Sequence, residues 1–151
     1  MMENQAKQKA LPYEYGDGWV AVQNAALTIY TLHPEFRGNT LLVYMYLLKN
    51  FNRHKGYSFP SYDDMTLQLN ISRDVVSDSI ATLRKLKMIN VNRRGGAYRA
   101  SHVYTFNPLI DSEEHFAEEY PEAMKNLERR RTVRAAIEAE KAERETLIPL
   151  E

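Results

Sequence analysis

Apolar residues change their spacing several times along this chain, and each change marks an element. After Gly16 and Gly18, the alternating stretch Trp19-Val20-Ala21-Val22 has the period of a short strand. His33-Pro34 interrupts the chain. Leu41, Tyr44, Met45 and Leu48 then recur at spacings of three, four and seven. That pattern predicts a helix capped by Asn39 or Thr40 and running through Phe51, with Leu41, Tyr44, Met45 and Leu48 as its buried stripe. Leu42, Val43, Tyr46 and Leu47 beside them are apolar too, so two faces of this helix are expected to be covered.

His54-Lys55-Gly56-Tyr57 reads as a loop, and Pro60-Ser61 opens the next helix. Ser61 suits its N-cap, and Asp63 and Asp64 fall in the first turn, where the helix dipole favours negative charge. Met65 and Leu69 form its inner face. Asn70 tolerates the left-handed backbone of a tight turn, and Ile71 plugs the gap between two helices. Ser72 caps a second helix reaching about Lys87. Val76, Ile80 and Leu83 line the inner side of that helix and leave Arg73, Asp74, Ser77, Asp78 and Ala81 outside.

Ile89 and Val91 alternate with Asn90 and Asn92, so a strand is expected directly after the helix. Gly95-Gly96 suits a hairpin turn with positive φ, and the return strand runs from Tyr98 to Phe106, ending at Asn107-Pro108. From Ser112 to about Thr146 the chain becomes rich in Ala, Glu, Lys and Arg. Pro121 predicts a short helix followed by a longer one rather than an unbroken rod. The expected organisation is a frayed stretch over 1–15, a domain over 16–110 and a charged helical tail over 111–151. The fold class is mainly α with a small β-wing: a winged helix-turn-helix with a long C-terminal helical extension.

Charge becomes informative only when it is divided. The 151 residues sum to zero, but residues 51–106 carry nine bases against four acids and residues 107–151 carry seven bases against twelve acids. The positive excess coincides with the helix-turn-helix and the hairpin, where phosphate contacts would be needed. The chain has no cysteine, which excludes disulfides and cysteine-ligated zinc. His33, His54, His102 and His115 are scattered without ligand spacing, and no catalytic motif or phosphate loop occurs. Neither an enzyme, a metal nor a cofactor is expected. No run of about 18 apolar residues occurs, so a cytoplasmic location is the default expectation.

The run Pro60-Ser61, Leu67, Leu69-Asn70-Ile71-Ser72-Arg73, Val76, Ile80, Leu83 and Met88-Ile89 resembles the winged-helix domain of plasmid and phage replication initiators and DnaD-type primosomal proteins. Ser101-His102-Val103-Tyr104 through Pro108 is similar to the closing strand of that family, and the likeness spans roughly residues 18–108. The chain departs from it at Asp74 and Asp78, where relatives present Arg, Lys, Gln or Thr, and at Lys87, where many have Gly. The resemblance implies a winged-helix fold and a role in plasmid- or phage-like replication, maintenance or transcriptional control.

A second helix about 10–12 Å across suits a major groove about 12 Å wide. Sequence-specific duplex DNA binding is therefore the expected function. Ser72, Arg73, Asp74, Ser77 and Asp78 are the candidate recognition-helix residues, although the acids would equally solvate this face or pair with Arg73 and Lys85. Arg93, Arg94, Gly95, Gly96, Tyr98 and Arg99 make the candidate wing, for which a hairpin edged with charge against strand pairing is the plainer reading. Lys55, Ser61, Tyr62, Arg84 and Lys85 are candidate phosphate contacts, with Ser61 equally a plain N-cap.

The tail reads as a dimer arm, a solvated spacer or a partner-binding segment. Its surface ion pairs are too weak to keep over thirty residues rigid without packing, so burial against a partner is expected. Met124, Leu127, Val133 and Ile137 are the candidate contacts of a homodimer. The alternative function is a protein-interaction module whose charged tail recruits a replication or regulatory partner. No membrane partner is expected.

Overall fold

The computed structural model describes residue 12, residues 16–95 and residues 101–147. Gly96, Tyr98 and Arg99 of the expected wing lie outside the described residues. The elements in order are α1 (Asn24–Thr28), a 3-10 turn (Tyr30–Leu32), α2 (Gly38–Lys49), α3 (Tyr62–Leu69), α4 (Arg73–Lys85), β1 (Ile89–Arg94), β2 (Ser101–Phe106), α5 (Glu113–Glu119), a second 3-10 turn (Pro121–Ala123) and α6 (Met124–Leu147). The chain is thus mainly helical, with one two-stranded antiparallel sheet and a long C-terminal helix. Among the described residues no helix is long and apolar enough to cross a membrane.

The two central helices follow their caps. Ser61 accepts the Asp64 N–H at 3.0 Å while Asp64 accepts the Ser61 N–H at 3.1 Å, a reciprocal capping box. Asn70 ends α3 in the left-handed region at φ 54°, and Ser72 caps α4 by accepting the Val75 N–H at 3.2 Å. Helix α4 stops at Lys85, two residues short of the expected end. The Met88 N–H returns to the Leu83 carbonyl and the Lys87 N–H to the Arg84 carbonyl, both at 3.0 Å. This Schellman closure places Lys87 at φ 55°, the position for which glycine is usual. Its ammonium meets Glu119 at 3.1 Å.

Strand β1 pairs with β2 in the register Ile89 to Phe106, Val91 to Tyr104 and Arg93 to His102. Asn107 joins the root of this ribbon to the exit of α4. Its backbone N–H donates to the Met88 carbonyl at 3.1 Å and its side-chain amide to the Lys87 carbonyl at 2.9 Å. Asn90 donates to the Asn107 side-chain carbonyl at 2.8 Å.

Four expectations are corrected. Trp19–Val22 forms no strand: the ribbon is two-stranded, and the isolated bridge at Tyr104 of β2 is made by Ser58 instead. The buried stripe of α2 is Thr40, Val43, Tyr44 and Leu47 rather than Leu41, Met45 and Leu48. Its N-cap is Arg37, whose N–H donates to the Thr40 hydroxyl at 3.2 Å, so the helix begins before Asn39. The start of the tail is not an appendage: Phe116, Ala117, Tyr120, Ala123 and Leu127 belong to the same continuous core as Tyr30, Leu47 and Leu83. Leu127 is only 1% exposed, so it is unavailable to a second copy.

Burial raises several tyrosine pKa values. Tyr104, whose hydroxyl has no hydrogen-bond partner among the described residues, rises most, and Tyr120 is pushed up to about 12. Burial also raises Tyr44, and it raises Tyr30 despite the Ile110 N–H that bonds its hydroxyl. These groups resist ionising in the native state but ionise near pH 10 once unfolded. Their contribution to stability is therefore complete below about pH 10 and falls as pH rises through the native values. The urea midpoint should hold to about pH 9.5 and drop steeply between about pH 10 and 12. A midpoint that is flat across that interval would mean that these rings are not buried in solution.

Candidate nucleic-acid interface

Three elements meet at the Tyr62 ring. Tyr62 opens α3, Arg73 opens α4 and His102 lies in β2. The Arg73 guanidinium sits 5.3 Å from the Tyr62 centroid, and the His102 ring is 5.9 Å away on an approximately tilted contact. Phe59, Pro60, Ser101 and Tyr104 complete a cleft of about 270 Å³ around them. Arg93 stands opposite His102 in the ladder, and cross-strand neighbours share a face of the ribbon. Arg73, Tyr62, His102 and Arg93 therefore form one row from the start of α4 to the ribbon.

Arg94, one residue on, takes the other face of the ribbon. It bonds the Tyr57 hydroxyl, with its guanidinium 5.4 Å from the ring centroid. Tyr57 packs edge-on against Phe59 at 5.9 Å, and the Lys55 ammonium lies 4.6 Å from the Phe59 centroid. Arg93 and Arg94 of the expected tip thus take opposite faces of the ribbon, and Gly95 after them has φ 99°. No family model, curated protein or solved structure matches this chain. Residue chemistry and geometry therefore carry the functional reading.

The outer face of α4 is open along Arg73, Asp74, Ser77, Asp78, Ala81 and Arg84. Arg73 is not paired with Asp74 or Asp78. It meets Asp63 at 3.0 Å, with both side chains largely in solvent, so the pair contributes at most about 1 kcal/mol and exchanges readily for another anion. Ser72 is exposed and committed to its cap. Asp78 borders a polar cleft of about 580 Å³ shared with Arg37 and Asn39 near the start of α2.

Two candidate phosphate contacts are held elsewhere. The hydroxyl and N–H of Ser61 are both engaged by Asp64, which favours the plain cap. The Lys85 ammonium bonds Glu35 at 2.8 Å and thereby holds the Glu35 carboxyl below its usual range. Lys85 and Arg84 also lie at the far end of α4, about 18 Å along the axis from Arg73. Lys55 and Tyr62 remain at the surface beside the ribbon. His102 is the residue that sequence reasoning missed. Its signal was strand alternation, which puts it on the face of Tyr104 and Phe106 and opposite Arg93.

Helix α6 packs against the first 3-10 turn, α5 and the second 3-10 turn. Asn126 donates to the Leu32 carbonyl at 2.8 Å, and Arg130 to the Thr28 carbonyl at 2.5 Å. None of these contacts covers the Tyr62 cleft. Met124, Val133 and Ile137 are exposed, whereas Leu127 faces the core.

Proposed function

We propose that this chain is a winged-helix protein that grips duplex DNA, of the kind resembled by plasmid and phage replication initiators and DnaD-type primosomal proteins. In this reading the N-terminal half of α4 enters the major groove and the β1–β2 ribbon lies along the backbone or the adjacent minor groove. The observation that carries it is the Tyr62 ring, which joins Arg73 of α4 to His102 of β2 on one surface. Arg73 and Ser77 are the base readers, with Arg73 suited to guanine. Asp74 and Asp78 repel phosphate and accept a hydrogen bond from cytosine, so they favour sequence selection over non-specific affinity. Arg93 and Lys55 supply backbone contacts, and Arg94 does so from the other side of the ribbon.

The direct test is a titration of a labelled random duplex over a range of salt, beside a single strand of equal length. The logarithm of the affinity should fall with log salt at about −0.9 per phosphate neutralised. Selection from a random duplex pool should then return a defined site. If the full chain retards no duplex even at about 50 mM salt, where non-specific attraction is strongest, DNA binding fails. In that event the acids bordering Arg73 argue for a protein-interaction module with a basic partner instead.

A further inference from the structure

From Arg131 to Thr146 every side chain of α6 is exposed, yet the helix runs for 24 residues. Its own surface ion pairs, such as Arg144 to Glu140 at 2.6 Å, stabilise a helix by only a few tenths of a kcal/mol each. Within this half Val133 is 52% exposed and Ile137 47% exposed, one turn apart. They border a cleft of about 420 Å³ between α6 and the 3-10 turn at Thr31-Leu32. The charges along α6 are also segregated. Lys125, Arg129, Arg130, Arg131 and Arg134 outnumber Glu128 in the first half, and Glu138, Glu140, Glu143 and Glu145 outnumber Lys141 and Arg144 in the second.

We infer that α6 pairs antiparallel with α6 of a second copy of this chain. Arg130, Val133, Ile137, Glu140 and Arg144 follow one another at alternating spacings of three and four, the seam of a short coiled coil. Only the antiparallel orientation gives this seam complementary layers. Val133 then meets the partner's Ile137, and the two-fold axis repeats the contact to make a four-residue apolar centre. Arg130 meets the partner's Glu140, and on the flank Arg129 meets the partner's Glu143. Ala136 faces its own copy there, which allows the helices to approach closely. A parallel pair would instead stack the arginine block upon itself. Arg134, near the axis, is already balanced by Glu113 at 3.4 Å. Arg130 also spends part of its guanidinium on the Thr28 carbonyl and Glu113, but its five donors leave room for a further acceptor.

Sedimentation of the full chain over a wide concentration range tests the pairing without any DNA. The wild-type chain should form a dimer that dissociates as salt rises. Val133→Asp with Ile137→Asp should sediment as a monomer at every concentration, with its circular dichroism in the near ultraviolet unchanged because both sites are exposed. Arg129→Glu or Glu143→Arg alone should weaken dimerisation by about tenfold, since each change converts two symmetric attractions into repulsions. The double variant Arg129→Glu/Glu143→Arg should recover wild-type affinity to within about twofold. A chain that stays monomeric throughout overturns the proposal. So does a dimer that survives both aspartates, or a double variant that fails to recover.

Discussion

Phe116→Ala should lower the unfolding free energy by about 3–5 kcal/mol, the usual loss for a fully buried phenylalanine. Phe116 is 0% exposed, its ring centroid 4.7 Å from that of Tyr30 and 5.0 Å from that of Tyr120. Tyr30 precedes α2, and Tyr120 follows α5, so this ring joins the segment before α2 to α5. Removing it leaves a cavity lined by two bulky aromatics that cannot collapse without breaking the bond from the Ile110 N–H to the Tyr30 hydroxyl. Val133→Ala is the contrast, because a half-exposed position should change stability by no more than about 0.5 kcal/mol. Urea titrations followed by circular dichroism measure both, at protein concentrations low enough to leave any dimer dissociated. A loss below about 1 kcal/mol at Phe116 would show that residues 112–127 dock only loosely.

Replacing Lys55 and Arg93 together by alanine should flatten the salt dependence of duplex binding by nearly two units, about 0.9 for each lost phosphate contact. At 0.1 M salt the same contacts should be worth about 60-fold in affinity, because each adds roughly 0.9 of a logarithmic unit per decade below 1 M. Arg73→Ala should additionally reduce discrimination between selected and random duplexes, since a base contact is worth about 1–3 kcal/mol against the wrong base. Lys85→Ala should leave the slope where it was, because Glu35 holds that ammonium at the far end of α4. Should the double variant keep the wild-type slope, the ribbon and the loop at Lys55 are not where phosphate is met.

Features written into short stretches of chain were legible in the sequence. Ser61 and Ser72 each cap the helix they precede, and Asn70 takes the left-handed turn between them. Pro121 separates two helices, and Asn107 follows directly on the last residue of β2. The two serine caps depend on backbone N–H groups only three residues away. What escaped depends on partners far along the chain. Glu35 reaches Lys85 across fifty residues, and Phe116 finds Tyr30 across more than eighty. Leu127 reads as a contact for a second copy because nothing local reveals that it has a groove at home. Trp19–Val22 has the alternation of a strand but pairs with neither strand of the ribbon. At the candidate site, the outward position of Arg73 followed from helical periodicity. Its Asp63 partner and the shared Tyr62 ring needed the packing of α3 on α4.

Asn107 sets a limit on how this surface works. By riveting the root of the ribbon to both Lys87 and Met88, it fixes the angle between ribbon and helix before any encounter. If the chain grips duplex DNA as proposed, a duplex held by both ribbon and helix would have to supply the bending itself. Targets containing easily kinked pyrimidine–purine steps would be favoured even where no side chain touches a base.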